Sequence, residues 1–423
     1  MRSRWSLDEW LAWQETLHWK SIDLGLERVL QVARRLRLGR PAQTVISIAG
    51  TNGKGSCAGL LDVAYRHAGY RVGMYTSPHL QHYSERIQIN GTCVLESDLC
   101  TAFMAIDQVR NHISLTYFEF GTLAALWLFA RQYLDIAILE VGLGGRLDAV
   151  NIVDADLALL TRFELDHSQW LGARRGDIAQ EKAGIMRAGK PVVCGDHECP
   201  TEVLECARNC GAPLWLIDRD FAWARGASGE LRWRAGDEQR TLGWPAPGSM
   251  AQADNAASCR MVLSALHKVL PVPAQSSGRV WEKLALIGRC TPLPGQPNVW
   301  LDVAHNADAS KALADFIAAQ PKHATTAIFG IMGDKDCAGV IAPMLGLVGQ
   351  WIAVDLPSAR ALDARAIAAT ISDLGASVRT APSVEVALQQ CGNERVIVFG
   401  SFYTVAGALS SGDRQLETTW IKH

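Results

Sequence analysis

The chain has 423 residues, of which 48% are apolar and 20% are charged, and its formal net charge at pH 7 is −2. This composition is typical of a globular protein with two or three domains, and the small net charge excludes bulk attraction to nucleic acid or to an anionic membrane surface. The sequence shows no apolar run long enough to span a membrane, no signal-peptide pattern and eleven scattered cysteines, so we expect a cytoplasmic protein with reduced thiols.

Two helices are predicted at the start of the chain. Apolar residues recur at helical spacing within 7–19, where Trp10, Trp13 and Leu17 share one side, and a second helical pattern ends near Leu38. These helices carry no chemistry by themselves, and they lead into the first predicted strand.

The segment 45–56 is the feature around which the first half of the chain is organised. A buried parallel strand is predicted at its start, followed by a turn with three glycines and then by a helix. This arrangement binds phosphate through backbone N–H groups, the positive helix N-terminus and a lysine, here Lys54. The spacing is a variant of the general P-loop, because Gly55 separates Lys54 from Ser56 and Ile48 stands where the first glycine is expected. A glycine turn that binds nothing is the disfavoured alternative, since a strand and a helix flank the turn.

Polar side chains follow the predicted strands of this sheet. Further buried strands are predicted at 69–75, 135–141, 156–161 and 190–194. Ser77, Glu140 and His167 come at or just after the ends of the first three, at the sheet edge where ligands of open α/β sheets bind. Ser77 alone is equally compatible with ordinary turn chemistry. Together with Lys54, however, the three side chains favour a metal–phosphate site, with Glu140 as a Mg²⁺ ligand.

A cluster of thiols and one imidazole follows the strand at 190–194. Its members are Cys194, His197, Cys199, Cys206 and Cys210. Zinc is disfavoured there, because the cysteines are not paired as C-x-x-C and Cys206 and Cys210 are four residues apart on a predicted helix. We therefore expect ordinary thiols and no bound zinc.

The remaining elements of the first sheet region are helices predicted at 118–134, 177–187 and 254–270 and a hairpin predicted at 221–244. A hinge rich in proline, glycine and serine is predicted at 271–297.

A second sheet is predicted after the hinge. Its strands are predicted at 299–303, 326–330, 351–354, 377–380 and 395–399. Alternating strands and helices indicate a doubly wound, Rossmann-like α/β domain. We expect two domains, at 1–287 and 288–423.

Three classes of function are compatible with these parts. A P-loop kinase or NTPase is one, and a non-catalytic nucleotide-binding module is the least favoured, because polar residues crowd the strand ends. The third is a ligase that phosphorylates a carboxylate and lets an amine displace the phosphate, with domain closure to exclude water.

Six sequence segments together resemble the folylpolyglutamate synthase family, and most closely its bifunctional dihydrofolate synthase members, which are relatives of the Mur ligases. These segments are GTNGKGS at 50–56, SPHL at 77–80, LEVGLGGRLD at 139–148, LDH at 165–167, EKAG at 181–184 and DVAHN at 302–306. The resemblance covers nearly the whole chain in order. It implies an N-terminal P-loop ATPase-like domain, a C-terminal Rossmann-like domain and an ATP-dependent amide ligase that adds L-glutamate to dihydropteroate and to reduced folates.

The resemblance also implies residue roles. ATP contacts are implied for Thr51, Asn52, Gly53, Lys54, Gly55, Ser56, Asn255, Arg289 and Asp302. Magnesium ligands are implied for Ser77, Glu140 and His167. A pterin-side pocket is implied for Asp23, Leu24, Gly25, Leu26, Thr116, Tyr117, Phe118, Glu119, Leu147, Asp148 and Ala149. Catalytic roles are implied for Lys54, His167, Lys182 and His305, with Lys182 at the position of a carbamylated lysine.

The same resemblance implies ATP and Mg²⁺ as cofactors, is compatible with a monovalent cation such as K⁺, and suggests a monomer with no nucleic-acid or membrane partner. A monofunctional folylpolyglutamate synthase and another Mur-type ligase remain the alternatives. Two departures are present, because Ser56 stands where some relatives carry threonine and Ile287 replaces the usual proline before Gly288 and Arg289.

Overall fold

A computed structural model of the chain describes residues 2, 4–245, 249–273, 281–282, 284–411 and 421–422. The described residues form two compact units. The first unit comprises Met1–Pro78, Ser84–Trp244 and Asp254–Glu282, and the second comprises His79–Tyr83, Pro245–Ala253 and Lys283–His423. Within the described residues, no helix combines the length and apolarity needed to cross a bilayer.

Eight described strands form the main sheet of the first unit. In chain order they are β1 Thr44–Ala49, β2 Val72–Tyr75, β3 Ile87–Ile89, β4 Thr92–Cys93, β5 Ile136–Glu140, β6 Leu157–Leu160, β7 Val192–Cys194 and β8 Leu214–Leu216. Their spatial order is β4-β3-β2-β5-β1-β6-β7-β8, with β2 and β5–β8 parallel to the central β1 and the edge strands β3 and β4 paired antiparallel. Every residue of β1 is buried, as expected for an apolar, β-branched strand covered on both faces.

Helices cover this sheet. Those of the first unit are Leu7–Leu17, Glu27–Arg35, Lys54–His67, Glu96–Arg110, Tyr117–Phe129, Ser168–Leu171, Arg175–Ala183 and Thr201–Cys210, with short 3₁₀ turns at Tyr83–Arg86 and Ala149–Ile152; Met250–Ala265 follows, its first residues belonging to the second unit. The predicted helix at 118–134 ends at Phe129, because the chain turns there to enter β5. The helix predicted at 177–187 is Arg175–Ala183, and the one predicted from 254 begins at Met250.

The predicted hairpin at 221–244 is a three-stranded antiparallel sheet in the described chain. Its strands are β9 Phe221–Arg225, β10 Leu231–Ala235 and β11 Glu238–Leu242. The prediction missed the second turn, which is short and needs only Gly236 in the left-handed region, at φ 54°. Glycine adopts this conformation without the steric cost that other residues meet.

The second unit carries a second doubly wound sheet. Its strands are β12 Ala285–Leu286, β13 Thr291–Leu293, β14 Gln296–Leu301, β15 Thr325–Phe329, β16 Gln350–Val354, β17 Val378–Ala381, β18 Arg395–Phe399 and β19 Ile421–Lys422. The described part of the main sheet has the order β13-β14-β18-β15-β16-β17, while β12 pairs with β19. Strands β14 to β18 are parallel, as the sequence predicted, and β13 joins antiparallel at the edge.

Helices lie between these strands and bury both faces of the second sheet. They are Ala307–Ala318, Cys337–Ile341, Ala364–Asp373, Val384–Gln389 and Phe402–Ser410, with a 3₁₀ turn at Ala342–Met344. Phe329 packs in one apolar cluster while its neighbour Ile328 packs in the other. Part of the predicted hinge at 271–297, residues 274–280 and 283, lies outside the described residues. The described C-terminal part of the hinge contains β12, β13 and the start of β14.

Candidate active site

Strand β1 delivers the glycine-rich loop to the carboxyl edge of the first sheet. Gly50 has φ 149° and a Cβ built on it would lie 1.7 Å from Thr161 Oγ1. Gly53, with φ 93°, precedes the Lys54–His67 helix, and its Cβ would lie 2.5 Å from Asn255 Oδ1. Glycine is therefore required at both positions, and the loop lies directly against Asn255.

The residue after Gly50 anchors the loop to the segment that follows β6. Thr51 N donates to Arg162 O at 2.7 Å, and Thr51 Oγ1 donates to Glu164 O at 3.1 Å while accepting from Glu164 N at 3.0 Å. Both polar groups of Thr51 thus hold the shape of the loop. We interpret Thr51 as a residue that positions the phosphate-binding backbone.

Two lysines converge on one carbonyl of the loop. Lys54 Nζ donates to Gly50 O at 3.0 Å and to Thr51 O at 3.2 Å. Lys182 Nζ, from the Arg175–Ala183 helix, donates to the same Gly50 O at 2.9 Å. Burial and the charge of Lys54 lower the pKa of Lys182 to about 7, against the opposing attraction of Asp166 and Asp148. The site therefore holds a lysine that is largely neutral just above neutral pH.

Ser77 and Glu140, two of the three predicted metal ligands, are in contact. Ser77 N donates to Glu140 Oε2 at 3.0 Å, and a Cβ on Gly55 would lie 3.7 Å from the same oxygen. Glu140 is only 4% exposed, so its carboxyl group is buried beside the first turn of the Lys54–His67 helix. Carboxylate and hydroxyl oxygens are the donors that Mg²⁺ prefers, and the residues present fit that ion.

His167 lies in the segment that follows β6, at the start of the Ser168–Leu171 helix. Its φ is 52° and its backbone N donates to Asp166 Oδ1 at 2.8 Å. No group of three His, Cys, Asp or Glu suited to a metal is found among the described residues. The predicted ligand set contains two residues of these types and Ser77 as its third, and it stays a prediction.

The loop after β5 packs tightly on the helix that carries Lys182. A Cβ on Gly145 would lie 2.8 Å from Lys182 O. Arg146 N donates to Glu181 O at 2.8 Å, and the Arg146 guanidinium pairs with the Glu181 carboxylate at 2.8 Å. Gly145 thus lets this loop lie directly against the helix backbone.

The carboxylate of Asp148, a residue predicted in the substrate pocket, accepts hydrogen bonds from the protein backbone. It accepts hydrogen bonds from Gly142 N at 3.1 Å, Leu143 N at 2.9 Å and Val150 N at 2.9 Å. Burial raises its pKa to about 6 despite these hydrogen bonds. The structure therefore gives Asp148 a positioning role in the loop, with the neighbouring Ala149 in the short helix that it caps.

Arg28 joins two parts of the predicted pterin-side pocket. Its guanidinium contacts the Asp23 carboxylate, donates to Asp23 O at 2.7 Å and donates to Glu119 Oε1 at 3.1 Å. Gly25 N donates to Leu147 O at 3.3 Å. These contacts bring Asp23 and Gly25 near Glu119 and Leu147, whereas the binding role implied for these residues stays a prediction. Sequence reasoning assigned no role to Arg28, although it lies at the end of the segment 22–28, which resembles the pterin-binding elements of the family.

The remaining predicted pocket residues also serve the fold. Thr116 and Glu119 form a capping box, in which Thr116 N donates to Glu119 Oε2 at 2.7 Å and Glu119 N donates to Thr116 Oγ1 at 3.2 Å. Phe118 lies against Gly142, where a Cβ would approach its ring to 2.5 Å. The guanidinium of Arg86 lies 5.5 Å from the Tyr117 ring centroid. The T-x-x-E spacing of Thr116 and Glu119 would have predicted this capping box from the sequence.

The predicted residues of the second unit gather at the end of β14. Asp302 is buried and accepts hydrogen bonds from Cys290 N and Ala304 N, both at 2.8 Å. Burial raises its pKa, while the nearby charge of Arg289 opposes the rise. His305 Nδ1 donates to Val303 O at 2.8 Å. Arg289 is thus close enough to Asp302 to influence its charge, and the nucleotide contact implied for Arg289 stays a prediction.

Sequence reasoning did not predict an ionic network around Asp254, the residue before Asn255. Asp254 contacts the Arg162 guanidinium and accepts from His197 Nε2 and from Trp223 Nε1, each at 2.9 Å. The hydrogen bond to Asp254, aided by Asp218, raises the pKa of His197 to about 9. These residues are far apart in the sequence and no pattern links them.

The cysteine cluster divides into two pairs. Cys194 and Cys199 have sulfur atoms 3.6 Å apart, and Cys206 lies with Cys210 on the Thr201–Cys210 helix, as predicted. All eleven cysteines are described as free thiols. The expectation that zinc does not bind here stays a prediction.

Comparisons with known proteins identify the family of this chain. The family model described as Mur ligase, glutamate ligase domain, matches residues 288–402. Dihydrofolate synthase/folylpolyglutamate synthase of Escherichia coli strain K12 is 40% identical over 403 residues, which are 95% of this chain and 94% of the relative.

Two solved structures resemble the fold over its whole length. Escherichia coli FolC in complex with DHPP and ADP has a TM-score of 0.88 and 37% identity, with 96% of this chain and 98% of that chain covered. The bifunctional enzyme of Yersinia pestis with AMPPNP and Mn has a TM-score of 0.89 and 40% identity, with the same coverage of 96% and 98%. The chain therefore belongs to the dihydrofolate synthase/folylpolyglutamate synthase family, the ATP-dependent α/β ligases of the Mur ligase family.

Proposed function

We propose that this protein adds L-glutamate to 7,8-dihydropteroate, forming dihydrofolate, and adds further glutamates to reduced folates, at the expense of ATP. The observation that carries this proposal is the 40% identity, across 95% of the chain, to a relative whose name contains both activities. The glycine-rich loop, the buried Glu140 and the contacts of Arg28 with Asp23 and Glu119 support it. A monofunctional folylpolyglutamate synthase is the remaining alternative.

The chemistry requires that a carboxylate first become reactive. A carboxylate resists attack by an amine, because its negative charge repels nucleophiles and its resonance makes the carboxylate carbon less electrophilic. Transfer of the γ-phosphoryl group of ATP to the acceptor carboxylate gives an acyl phosphate and ADP. The amino nitrogen of glutamate then attacks the acyl carbon, the C–O bond to phosphate breaks, and the products are an amide and inorganic phosphate.

The loop residues fit the first step. Lys54 starts the helix whose positive N-terminus follows the glycines, so its charge and the backbone N–H groups would bind the phosphates and stabilise the charge that moves during transfer. Asn52, Gly55, Ser56 and Asn255 complete the proposed contacts around this loop. Mg²⁺ held by Ser77, Glu140 and His167 would neutralise charge on the phosphate oxygens. Arg289, Asp302 and His305 are the proposed nucleotide and glutamate-side residues of the second unit.

Lys182 is the proposed site of a carbamate. An amine reacts with CO₂ only in its neutral form, and the lowered pKa of Lys182, about 7, provides that form near neutral pH. Addition of CO₂ to the nitrogen releases one proton and leaves an anion, which would be attracted to Lys54 and to a nearby metal ion. Incubation with ¹³C-bicarbonate should give a carbamate NMR signal that Lys182→Arg abolishes, and its persistence in that variant would contradict the assignment.

Further proposals concern the setting of the enzyme. We infer that it acts in the cytoplasm as a monomer, uses Mg²⁺ as its physiological metal and accommodates K⁺ as a monovalent cation. The substrates proposed are ATP, L-glutamate, dihydropteroate and reduced folates, with Leu24, Leu26 and Tyr117 among the pocket residues.

Isotope transfer tests the proposed reaction path. Dihydropteroate labelled with ¹⁸O in its carboxylate should deliver one labelled oxygen to inorganic phosphate per amide formed, because the bridging oxygen of the acyl phosphate leaves with phosphorus. Unlabelled phosphate from a turning-over enzyme would contradict an acyl-phosphate path.

A further inference from the structure

Two thiols that the proposed reaction does not use lie in contact beside the first sheet. Cys194 closes β7 and is fully buried, and it donates a hydrogen bond to Cys199, whose sulfur lies 3.6 Å away. The thiols are separated by only four residues. A disulfide needs sulfur atoms about 2 Å apart. A small movement within the segment 194–199 would therefore bring the two sulfur atoms to bonding distance.

The surroundings of the two thiols differ in a way that suits sequential oxidation. Cys199 is half-buried, whereas Cys194 is buried. The hydrogen bond from Cys194 and the charges of Arg175 and Arg219 lower the pKa of Cys199, although burial and the charge of Asp196 oppose this. Cys199 is thus the more accessible sulfur and the better nucleophile, and Cys194 lies within reach to resolve an oxidised Cys199.

The segment between the two thiols contacts the residues on both sides of the glycine-rich loop at 50–56. Asp196 accepts a hydrogen bond from Phe163 N at 2.8 Å, and Phe163 stands between the residues that bond Thr51. His197 donates to Asp254, the neighbour of the Asn255 side chain that lies against Gly53. Movement of this segment therefore reaches both sides of the loop.

We propose that Cys194 and Cys199 form a redox modification site that a peroxide converts to a reversible disulfide, and that the bridge weakens ATP binding. The Cys199 thiolate attacks one peroxide oxygen, giving a sulfenic acid and releasing the other oxygen as water after protonation. The Cys194 thiol then attacks that sulfur, forming the S–S bond, and its proton leaves with the hydroxyl group as a second water. Two thiols are oxidised and one hydrogen peroxide is reduced to two waters.

Peptide mapping tests the bridge without any reference to activity. Full-length protein is treated with limiting hydrogen peroxide, alkylated and cleaved by a protease that cuts after glutamate. Cleavage after Glu198, Glu202 and Glu205 places Cys194, Cys199 and Cys206 on three different peptides. We expect the first two peptides to be joined and to separate on reduction with dithiothreitol. Free peptides, or a bridge that uses Cys206 instead, would overturn the proposal.

Kinetics test the link to the nucleotide loop, which rests on the proposed function. Oxidised wild-type protein should show a severalfold higher KM for ATP with a smaller change in kcat, reversed by dithiothreitol. Cys199→Ser should keep basal activity and lose the peroxide response, and Cys206→Ser, the matched control, should respond like wild type. An unchanged KM in bridged protein, or a Cys199→Ser protein as sensitive as wild type, would overturn the link. Reduced protein without ligase activity would instead count against the proposed function alone.

Discussion

Lys54 and Lys182 donate hydrogen bonds to the same oxygen, the carbonyl of Gly50, at 3.0 and 2.9 Å. Two ammonium groups on one carbonyl repel each other, and burial adds to the cost of charging Lys182. The lowered pKa of Lys182 relieves this conflict. The proposed function uses Lys54 to bind phosphate, and the lowered pKa of Lys182 suits the carbamate proposed there.

Removal of the loop cation should stop phosphoryl transfer. Lys54→Ala is expected to lower kcat by orders of magnitude with an unchanged circular dichroism spectrum, because a loop lysine stabilises the transferring charge. Lys268→Ala, an exposed lysine of the same unit, is the control and should be near wild type. Near-normal glutamate ligation by folded Lys54→Ala protein would refute the phosphate-loop assignment.

The pKa of Lys182 predicts a pH-dependent stability. Between about pH 7 and its ordinary pKa of 10.5, the unfolded chain binds a proton at Lys182 that the folded chain has released. Stability should therefore rise with pH in that window. Lys182→Met retains an apolar stem of similar size and should lack this contribution. The measurement is Tm from pH 7 to pH 9 in CO₂-free buffer, and an equal rise in both proteins would contradict the shifted pKa.

Neutralisation of Glu140 should affect the metal first. Glu140→Gln keeps the shape of the side chain and removes its charge, so we expect a higher Mg²⁺ concentration for half-maximal activity and little loss of stability. Glu96→Gln, an exposed substitution in the same unit, is the control. An unchanged Mg²⁺ dependence would make Glu140 a structural residue.

The glycine before the loop helix should be irreplaceable for a specific reason. Gly53→Ala places a Cβ 2.5 Å from Asn255 Oδ1 at φ 93°, whereas Gly69→Ala has a similar φ of 90° and nothing within 4 Å. Both variants bear the backbone strain, about 1–2 kcal/mol. Only Gly53→Ala should raise the KM for ATP. Equal kinetic effects in the two variants would mean that strain alone, and not the contact with Asn255, accounts for the loss.

The parallel strands were predictable because their runs are apolar, β-branched and buried on both faces. The same patterns placed Ser77 and Glu140 at one sheet edge, where they are indeed in contact. The network of Arg162, His197 and Asp254 was not predictable, because its members come from distant segments and each alone resembles a surface residue. Local pattern thus predicts elements and their ends, whereas side-chain partners over long separations depend on packing.

The pterin-side pocket should distinguish the two acceptors. The Asp23 carboxylate is held by Arg28, with Lys20 Nζ at 3.3 Å and His18 Nε2 at 3.3 Å. Asp23→Ala should therefore remove the carboxylate that Arg28 and Lys20 contact, and reduce kcat/KM for dihydropteroate more than for tetrahydrofolate. Asp237→Ala, at an exposed turn, should leave both values unchanged. A uniform loss for the two acceptors would remove Asp23 from the specificity pocket.

Bifunctionality is the central claim, and a single assay tests it most directly. Purified wild-type protein is given ATP, Mg²⁺ and labelled L-glutamate, with dihydropteroate or tetrahydrofolate offered separately. A bifunctional enzyme must bring acceptors of different length to one site of acyl-phosphate formation, with each carboxylate aligned to the γ-phosphate. We predict ATP-dependent incorporation of label with both acceptors. Incorporation with tetrahydrofolate and none with dihydropteroate under the same conditions would contradict the account and leave a monofunctional folylpolyglutamate synthase.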